Sequence, residues 1–345
     1  MLFFERDIAV DLGTMATRMY VQGKGIRLRE ATVIAMDKNN GRVLRMGEDA
    51  RKILGRTPAN IVSVHPIVNG VISDYDMTSR MLREFFSRVT SFSLFKPRVL
   101  ILVPGSISGV EERAVIDAVI EGGARKVYLL ESSVATAVGA GVDVKKPDGH
   151  LVVDIGAGTT ETAVISVGGV AFGRSIKTAG NAMDEAIVKY IRKKHNLAIG
   201  LTTAESLKKS VGCALEPSDI LYDEAKGRCL LSGLPKTVSV SSSDIVSALK
   251  TPLKEILDSI HYTLEHTEPE LVNDISANGI ILAGGGSQLR GLPELISTQT
   301  GIEAIVVDDP VSCNTYGAGK ILYDLEEMTE GMINLARRKQ ILSAD

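Results

Sequence analysis

Two short stretches carry the residue types that handle phosphate. The first is Asp11-Leu-Gly-Thr-Met-Ala-Thr17 and the second is Asp154-Ile-Gly-Ala-Gly-Thr-Thr160. Each follows an apolar run, Ile8 to Val10 and Leu151 to Val153, and each leads into another. The pattern predicts strand, tight glycine turn, strand, written twice. Glycine lets backbone N–H groups approach phosphate oxygens with no Cβ in the way. Gly13, Thr14 and Met15 in one turn and Gly156, Ala157, Gly158 and Thr159 in the other are the expected phosphate binders. The hydroxyls of Thr14, Thr17, Thr159 and Thr160 add donors, and Asp11 and Asp154 are the expected ligands of a hard ion such as Mg²⁺. One such turn alone is equally an ordinary β-hairpin. Two facing copies would clamp a polyphosphate.

A third glycine turn, Gly284-Gly285-Gly286, sits in a strand–turn–helix setting and suits the nucleoside end. Glu205 and Lys208 lie three apart on one helical face and are candidates for ribose or adenine, or else a solvated ion pair.

The intervening sequence must supply the elements that hold these turns. Residues 7–35 read as a strand meander with a hairpin turn at 22–25, and 42–66 as a small broken insertion. Met81, Leu82, Phe85, Phe86 and Val89 share one face of a predicted helix over 77–89. Arg98–Val103 reads as a buried strand, then Ser108 and Glu111 as a capping box opening a helix over 110–121. A strand over 127–130 and a helix from Val134 follow, which points to an α/β layer with a parallel section. The second copy predicts strands over 151–155, 161–167 and 169–176 and helices over 182–194 and 204–211. A mixed stretch over 215–242 then leads to a helix over 244–264, capped by Ser241 to Ser243. Gly279–Ala283 reads as a strand, a helix begins near Leu289 or Leu292, and 317–341 is expected to be largely helical.

Composition sets outer bounds. The 345 residues suit two domains, and 44% hydrophobic content suffices for real cores. Net charge is −3, which gives no reason to expect nucleic acid as a partner. Cys213, Cys229 and Cys313 are widely spaced and odd in number, so idle thiols are expected rather than disulfides or a zinc site. No apolar run approaches the ~18 residues of a membrane span, and the first residues are charged too soon for a signal peptide. A cytosolic protein is expected.

The two turns, together with the LAGGGSQLRGL stretch, resemble the actin-fold ATPase superfamily. The likeness to its MreB/Mbl family of bacterial actins is much tighter. GKGI (23–26), GRTPANI (55–61), NGVISDYD (69–76), LFKPR (94–98), GARKVYLLE (123–131), TAVISVGG (162–169), AMDEAI (182–187), PELVNDI (269–275) and GGGSQLRGL (284–292) fall in that family's order, from about residue 5 to 325. The resemblance implies a duplicated, ribonuclease H-like actin fold of class α/β that binds ATP and Mg²⁺. Domain I would comprise 1–140 and a C-terminal helix over 315–345, with a small subdomain at 32–66. Domain II would comprise 141–314, with a small subdomain at 181–244. It also implies antiparallel double filaments of the protein itself on the inner membrane surface, acting with cell-wall elongation proteins to set cell shape.

Phe92, Leu94 and Phe95, beside Lys96 and Arg98, would by composition alone pack onto the domain. The matching family loop inserts into membrane, so Leu94 and Phe95 are expected lipid contacts, with Leu2, Phe3 and Phe4 as a second anchor.

The departures from the family pattern concern catalysis. Where the family has two glutamates and a proline, this chain has Glu131-Ser132-Ser133. Ser132 falls at the glutamate that positions the attacking water, and a serine is no base at neutral pH. Ala16 replaces an Asn, Ala157 a Gly, Asn181 an Asp, and Ser210 an acidic residue. Thr160 remains as a candidate for the catalytic turn. Slow hydrolysis is expected. A non-polymerising nucleotide-binding scaffold or regulator of the same fold is the alternative. A metabolic kinase would need a catalytic aspartate and a substrate-specific insertion, for which the sequence offers no candidate.

Overall fold

The structure, a computed structural model, describes residues 7–53, 58–90 and 96–325. The expected lipid contacts Leu2, Phe3, Phe4, Leu94 and Phe95 lie outside the described residues. The chain divides into two compact units, one of residues 1–148, 165–175 and 311–345, the other of residues 149–164 and 176–310.

The first unit begins with β1 (Ile8–Leu12), β2 (Ala16–Val21) and β3 (Gly25–Ala31), an antiparallel meander. A three-stranded insertion follows, built from β4 (Ile34–Asp37), β5 (Val43–Met46), α1 (Glu48–Ile53) and β6 (Ile61–Val64). Its small core is Ala31, Val33, Ala35 and Ala50. A short pair, β7 (Ile67–Val68) and β8 (Val71–Ile72), leads to α2 (Tyr75–Val89). Then come β9 (Arg98–Val103), α3 (Gly109–Gly122), β10 (Lys126–Glu131) and α4 (Ser132–Gly139). The capping box of Ser108 and Glu111 forms as its spacing predicts, with Glu111 accepting from the Ser108 N–H at 2.8 Å.

Strands β9 and β10 join the meander in parallel, giving the order β10-β9-β1-β2-β3. Strand β1 is buried along its whole length, as a strand covered on both faces must be. Met81, Leu82, Phe85 and Phe86 of α2 enter one core with Val115, Ala118 and Val119 of α3 and with the sheet.

At the edge of this core Arg98 makes a forked pair with Asp7, at 2.8 and 2.6 Å. Asp7 is only 2% exposed, so removing its partner strands a charge out of water. Because Arg98 itself is partly solvated, Arg98→Leu is expected to cost about 2 kcal/mol, read as a lower urea midpoint at unchanged slope.

The chain continues with β11 (His150–Ile155), β12 (Thr160–Ser166) and β13 (Gly169–Ile176), followed by α5 (Gly180–His195). The small sheet of the second unit is β14 (Leu197–Ala198), β15 (Tyr222–Cys229) and β16 (Pro235–Ser241), with α6 (Leu201–Val211) between the first two strands. The long α7 (Ser242–Glu265) starts at a capping box of Ser241 and Asp244. Next are α8 (Pro269–Asn278), β17 (Ile280–Ala283), a 3-10 turn over Gly285–Gln288, α9 (Leu292–Thr300) and β18 (Ala304–Val306). The last helix, α10 (Cys313–Ile321), belongs to the first unit.

The second large sheet runs β13-β12-β11-β17-β18. Strand for strand this is the order β3-β2-β1-β9-β10, so the duplication extends from the turns to the topology. Helix α8 has no counterpart in the periodicity reading, and α10 begins at Cys313, four residues before the predicted tail helix. Among the described residues no helix is long and apolar enough to cross a membrane.

Candidate functional site

The first turn joins β1 to β2. The Gly13 N–H donates to the Ala16 carbonyl at 3.2 Å, and a Cβ on Gly13 would lie 2.7 Å from that oxygen. Only glycine closes this turn without a backbone shift. The Thr14 hydroxyl accepts from the Gly70 N–H at 3.0 Å, and the Met15 carbonyl accepts from Thr32 N–H at 3.0 Å. The Met15 side chain is exposed, but Thr17 is buried and its hydroxyl pairs with that of Thr32 at 2.9 Å.

Asp11 is the penultimate residue of β1 and is buried. Arg18 Nη1 donates to Asp11 Oδ2 at 3.0 Å, and the Thr315 hydroxyl of α10 donates to the same oxygen at 3.5 Å. Burial pushes the Asp11 carboxyl up from its ordinary range, and the Arg18 guanidinium pulls against it.

Asp11, Leu102 and Leu130 stand in register on three adjacent parallel strands. Ser132 follows two residues after Leu130 as the first residue of α4, and its hydroxyl donates to the Val103 carbonyl at 3.3 Å. Asp11 and Ser132 therefore lie at the carboxyl ends of parallel strands, where α/β sheets bind ligands.

The second turn, between β11 and β12, repeats the closing bond of the first. Gly156 N–H donates to the Thr159 carbonyl at 2.9 Å. Here the turn is braced from behind by α5, whose Gly180 and Asn181 N–H groups donate to the Gly156 and Ala157 carbonyls at 3.1 and 2.8 Å. The start of α5 therefore spends its first donors on the turn. Thr160 is fully buried and its hydroxyl donates to the Thr178 carbonyl at 2.7 Å. Thr17 and Thr160 thus secure their turns from inside.

Lys208 donates to the Gly180 carbonyl at 2.8 Å and lies 2.8 Å from Asp184 Oδ1. Glu205 pairs with Lys209, one turn along. Lys208 ties α6 to α5 just behind the second glycine turn. Ser210 donates to Asp223 at 2.5 Å, which brings a carboxylate beside a position where the family pattern has an acidic residue.

Burial pushes the Asp184 carboxyl up to about 6, against the opposing pull of Lys208. A carboxyl whose folded pKa is raised holds its proton more firmly in the folded state. Stability from this group is therefore expected to fall as pH rises through about 4 to 6. Asp184→Asn should flatten that slope, measured as urea midpoints across the same window.

In the third turn Gly284 has φ of 78°, and a Cβ there would lie 2.3 Å from the Ile155 carbonyl and 2.4 Å from Asp154 Oδ1. A Cβ on Gly286 would meet Ile155 Cγ2 at 2.4 Å. Gly284 and Gly286 are needed for packing against the end of β11. Gly285 has nothing within 4 Å of its Cβ position and is the member of the three open to a ligand.

The glycine cradles fit a phosphorylated ligand, since each turn is closed by a backbone bond and carries no charged side chain between the bonded residues. For Mg²⁺ the fit is uneven. Among the described residues no group of three or more His, Cys, Asp or Glu could hold an ion. Asp154 is partly exposed near the end of β11, and Asp11 is buried and paired with Arg18. Sequence reading did not anticipate Arg18, Asp184 or Thr315. Strand pairing would have found the first, because Arg18 is opposite Asp11 across the turn.

A twice-built sheet with a glycine turn at each central strand defines an actin-like fold. The model of the MreB/Mbl protein family matches residues 5–330. The cell shape-determining protein Mbl of Bacillus subtilis (strain 168) is 40% identical over 94% of this chain and 98% of its own. The cell shape-determining protein MreB of Escherichia coli (strain K12) is 41% identical over 92% and 94%. MreB5 of Spiroplasma citri, in a crystal structure bound to ADP, superposes with a TM-score of 0.91 at 33% identity, covering 94% of this chain and 98% of that one. A structure of the same protein bound to AMPPNP gives 0.90 at 34% identity, covering 94% and 97%. The chain belongs to the MreB/Mbl family of bacterial actins.

Proposed function

We propose that this chain binds ATP through its two phosphate turns and assembles with copies of itself into antiparallel double filaments on the inner membrane surface. There it helps set cell shape by organising wall elongation proteins. The observation that carries the nucleotide reading is the repeated turn, closed by the same backbone bond in two sheets of the same strand order. Relatives about 40% identical are named cell shape-determining proteins, and MreB5 of Spiroplasma citri has been solved with ADP and with AMPPNP. Both support the reading.

In this assignment Gly13, Thr14, Met15, Gly156, Ala157, Gly158 and Thr159 take the phosphates. Gly285 and its neighbours Gly284 and Gly286 border the nucleoside, with Glu205 and Lys208 on its far side. Mg²⁺ accompanies the phosphates and supplies charge neutralisation, with Asp11 and Asp154 as the carboxylates assigned to it. Ser132 stands where a water-orienting carboxylate would act, and hydrolysis is slow. Leu94 and Phe95, with Leu2, Phe3 and Phe4, contact lipid. Many weak anchors become firm when a filament presents them together.

Co-pelleting of pure protein with anionic liposomes, with and without ATP and Mg²⁺, tests the reading when the pellet is viewed by electron microscopy. Paired filaments on lipid that require nucleotide are expected. Protein that binds ATP and never assembles would replace this reading with the scaffold or regulator of the same fold.

A further inference from the structure

The hairpin that joins β15 to β16 ends in an apolar tip. The Cys229 N–H donates to the Leu234 carbonyl at 2.8 Å and the Gly233 N–H to the Cys229 carbonyl at 2.9 Å, which closes a loop over 230–233. Gly233 supplies the positive φ of 73° that the turn needs. Such tips are ordinarily polar. Here Leu230, Leu231 and Leu234 are 39%, 82% and 65% exposed. The core of this unit takes Ala225 and Val240 from the same two strands and none of the three leucines.

The surroundings of the tip are cationic. The Leu230 N–H donates to the Asn196 carbonyl at 2.8 Å, so the tip lies against the end of α5. The last turn of that helix carries Arg192, Lys193 and Lys194, all exposed. Lys236 Nζ donates to the His195 carbonyl at 3.2 Å, and Arg228 is exposed on β15. Residues 187–204 and 225–243 contain no Asp or Glu, in a chain whose 42 acids outnumber its 39 Lys and Arg. Flanking acids offset part of the charge, since Asp244 pairs with Lys194 and Glu224 with Lys226. The sign of the patch is left to Arg192, Lys193, Arg228 and Lys236.

Exposed leucines inside a cationic collar match an anionic lipid surface. Headgroups meet the cations while the leucines enter the acyl boundary. Entry into an apolar medium also requires that backbone donors be satisfied beforehand. The tip meets this condition at Cys229, Leu230 and Gly233 through the bonds above, and at Leu234, whose N–H donates to Ser232 Oγ at 3.4 Å. A protein partner would have to bring both an apolar socket and a ring of acids. We infer that the β15–β16 hairpin is a lipid-inserting element, with Leu230, Leu231 and Leu234 in the bilayer and Arg192, Lys193, Arg228 and Lys236 on anionic headgroups. It adds a contact to the membrane reading above and depends on neither nucleotide nor assembly.

The chain contains no tryptophan, so Leu231→Trp places a single indole at the tip. The full-length variant, without nucleotide, is titrated with vesicles of phosphatidylglycerol and phosphatidylethanolamine, and with vesicles of phosphatidylcholine, each with and without brominated acyl chains. On the anionic vesicles the emission is expected to move to the blue and to be quenched by bromine, both effects weakening with salt. Phosphatidylcholine should produce neither. Without the reporter, Leu231→Ser with Leu234→Ser should lower affinity for the anionic vesicles by about tenfold, and Lys193→Gln with Arg228→Gln by a similar factor. Vesicle-bound protein with unchanged tip emission would overturn the inference and leave the membrane reading to Leu94, Phe95 and the N-terminal residues. A blue shift that needs no vesicles and grows with protein concentration would assign the tip to a second copy of the chain instead. Absence of all binding to the anionic vesicles would remove this inference and the membrane reading together. Bromine quenching in protein that never assembles would uphold the inference and remove the filament reading alone.

Discussion

Glutamate in place of Ser132 is expected to raise the rate of phosphate release by about a hundredfold. Phosphoryl transfer to water asks the protein for orientation and charge stabilisation more than for covalent help. Ser132 begins α4 at the carboxyl end of β10, two residues beyond the row formed by Asp11, Leu102 and Leu130. Its short side chain turns back onto the Val103 carbonyl and carries no charge. A glutamate there reaches farther and accepts a proton from water at neutral pH. Glu131 is not expected to take this role, because it precedes the helix in extended backbone at φ −64° and ψ 131°, and neighbouring residues point in different directions. Ser132→Gln separates orientation from proton acceptance and should recover only part of the gain. Ser132→Ala should leave the slow rate where it is. Single-turnover phosphate release from the full chain on ATP measures all three, and a Ser132→Glu rate equal to the parent would refute the assignment.

Features that depend on local spacing were legible before the structure. The glycine turns, the capping boxes at Ser108 and Ser241, and the apolar face of α2 each follow from residues within a few positions of one another. The duplicated strand order could be inferred because each turn is flanked by the same succession of apolar runs. Partners far apart in sequence were not legible. Lys208 and Glu205 share a helical face, yet Lys208 finds Asp184 on another helix and Glu205 finds Lys209. Thr17 and Thr160 carry hydroxyls suited to phosphate, yet burial turns both into the fold. The start of α10 is hidden because Cys313, Asn314, Thr315 and Tyr316 are weak helix formers, and the helix then runs through Gly317 and Gly319, which are weaker still. Their presence has a packing reason that only the neighbouring helix discloses.

That reason makes Gly317 the position where one methyl group should do most damage to the fold. Helices α4 and α10 meet backbone to backbone. A Cβ at Gly317 would lie 1.8 Å from the Ala135 carbonyl oxygen and 2.6 Å from the Gly139 nitrogen. The contact is reciprocal, since a Cβ at Gly139 would lie 2.1 Å from the Cys313 carbonyl oxygen. No rotamer change relieves a clash with main-chain atoms, so the helices must separate. Overpacking of this kind is expected to make Gly317→Ala lose about 4 kcal/mol, well beyond the roughly 1 kcal/mol that alanine returns in helix propensity. Gly109 opens α3 with nothing within 4 Å of its Cβ position, and Gly109→Ala should be neutral or slightly stabilising. Thermal and urea unfolding of the two variants measure the contrast. The loss should reach the site as well, because α10 carries Thr315 against Asp11. A helix pushed away from α4 withdraws that hydroxyl and loosens the first glycine turn. Gly317→Ala is therefore expected to weaken binding of a fluorescent ATP analogue even at temperatures where the variant remains folded, and unaltered affinity there would uncouple α10 from the turn.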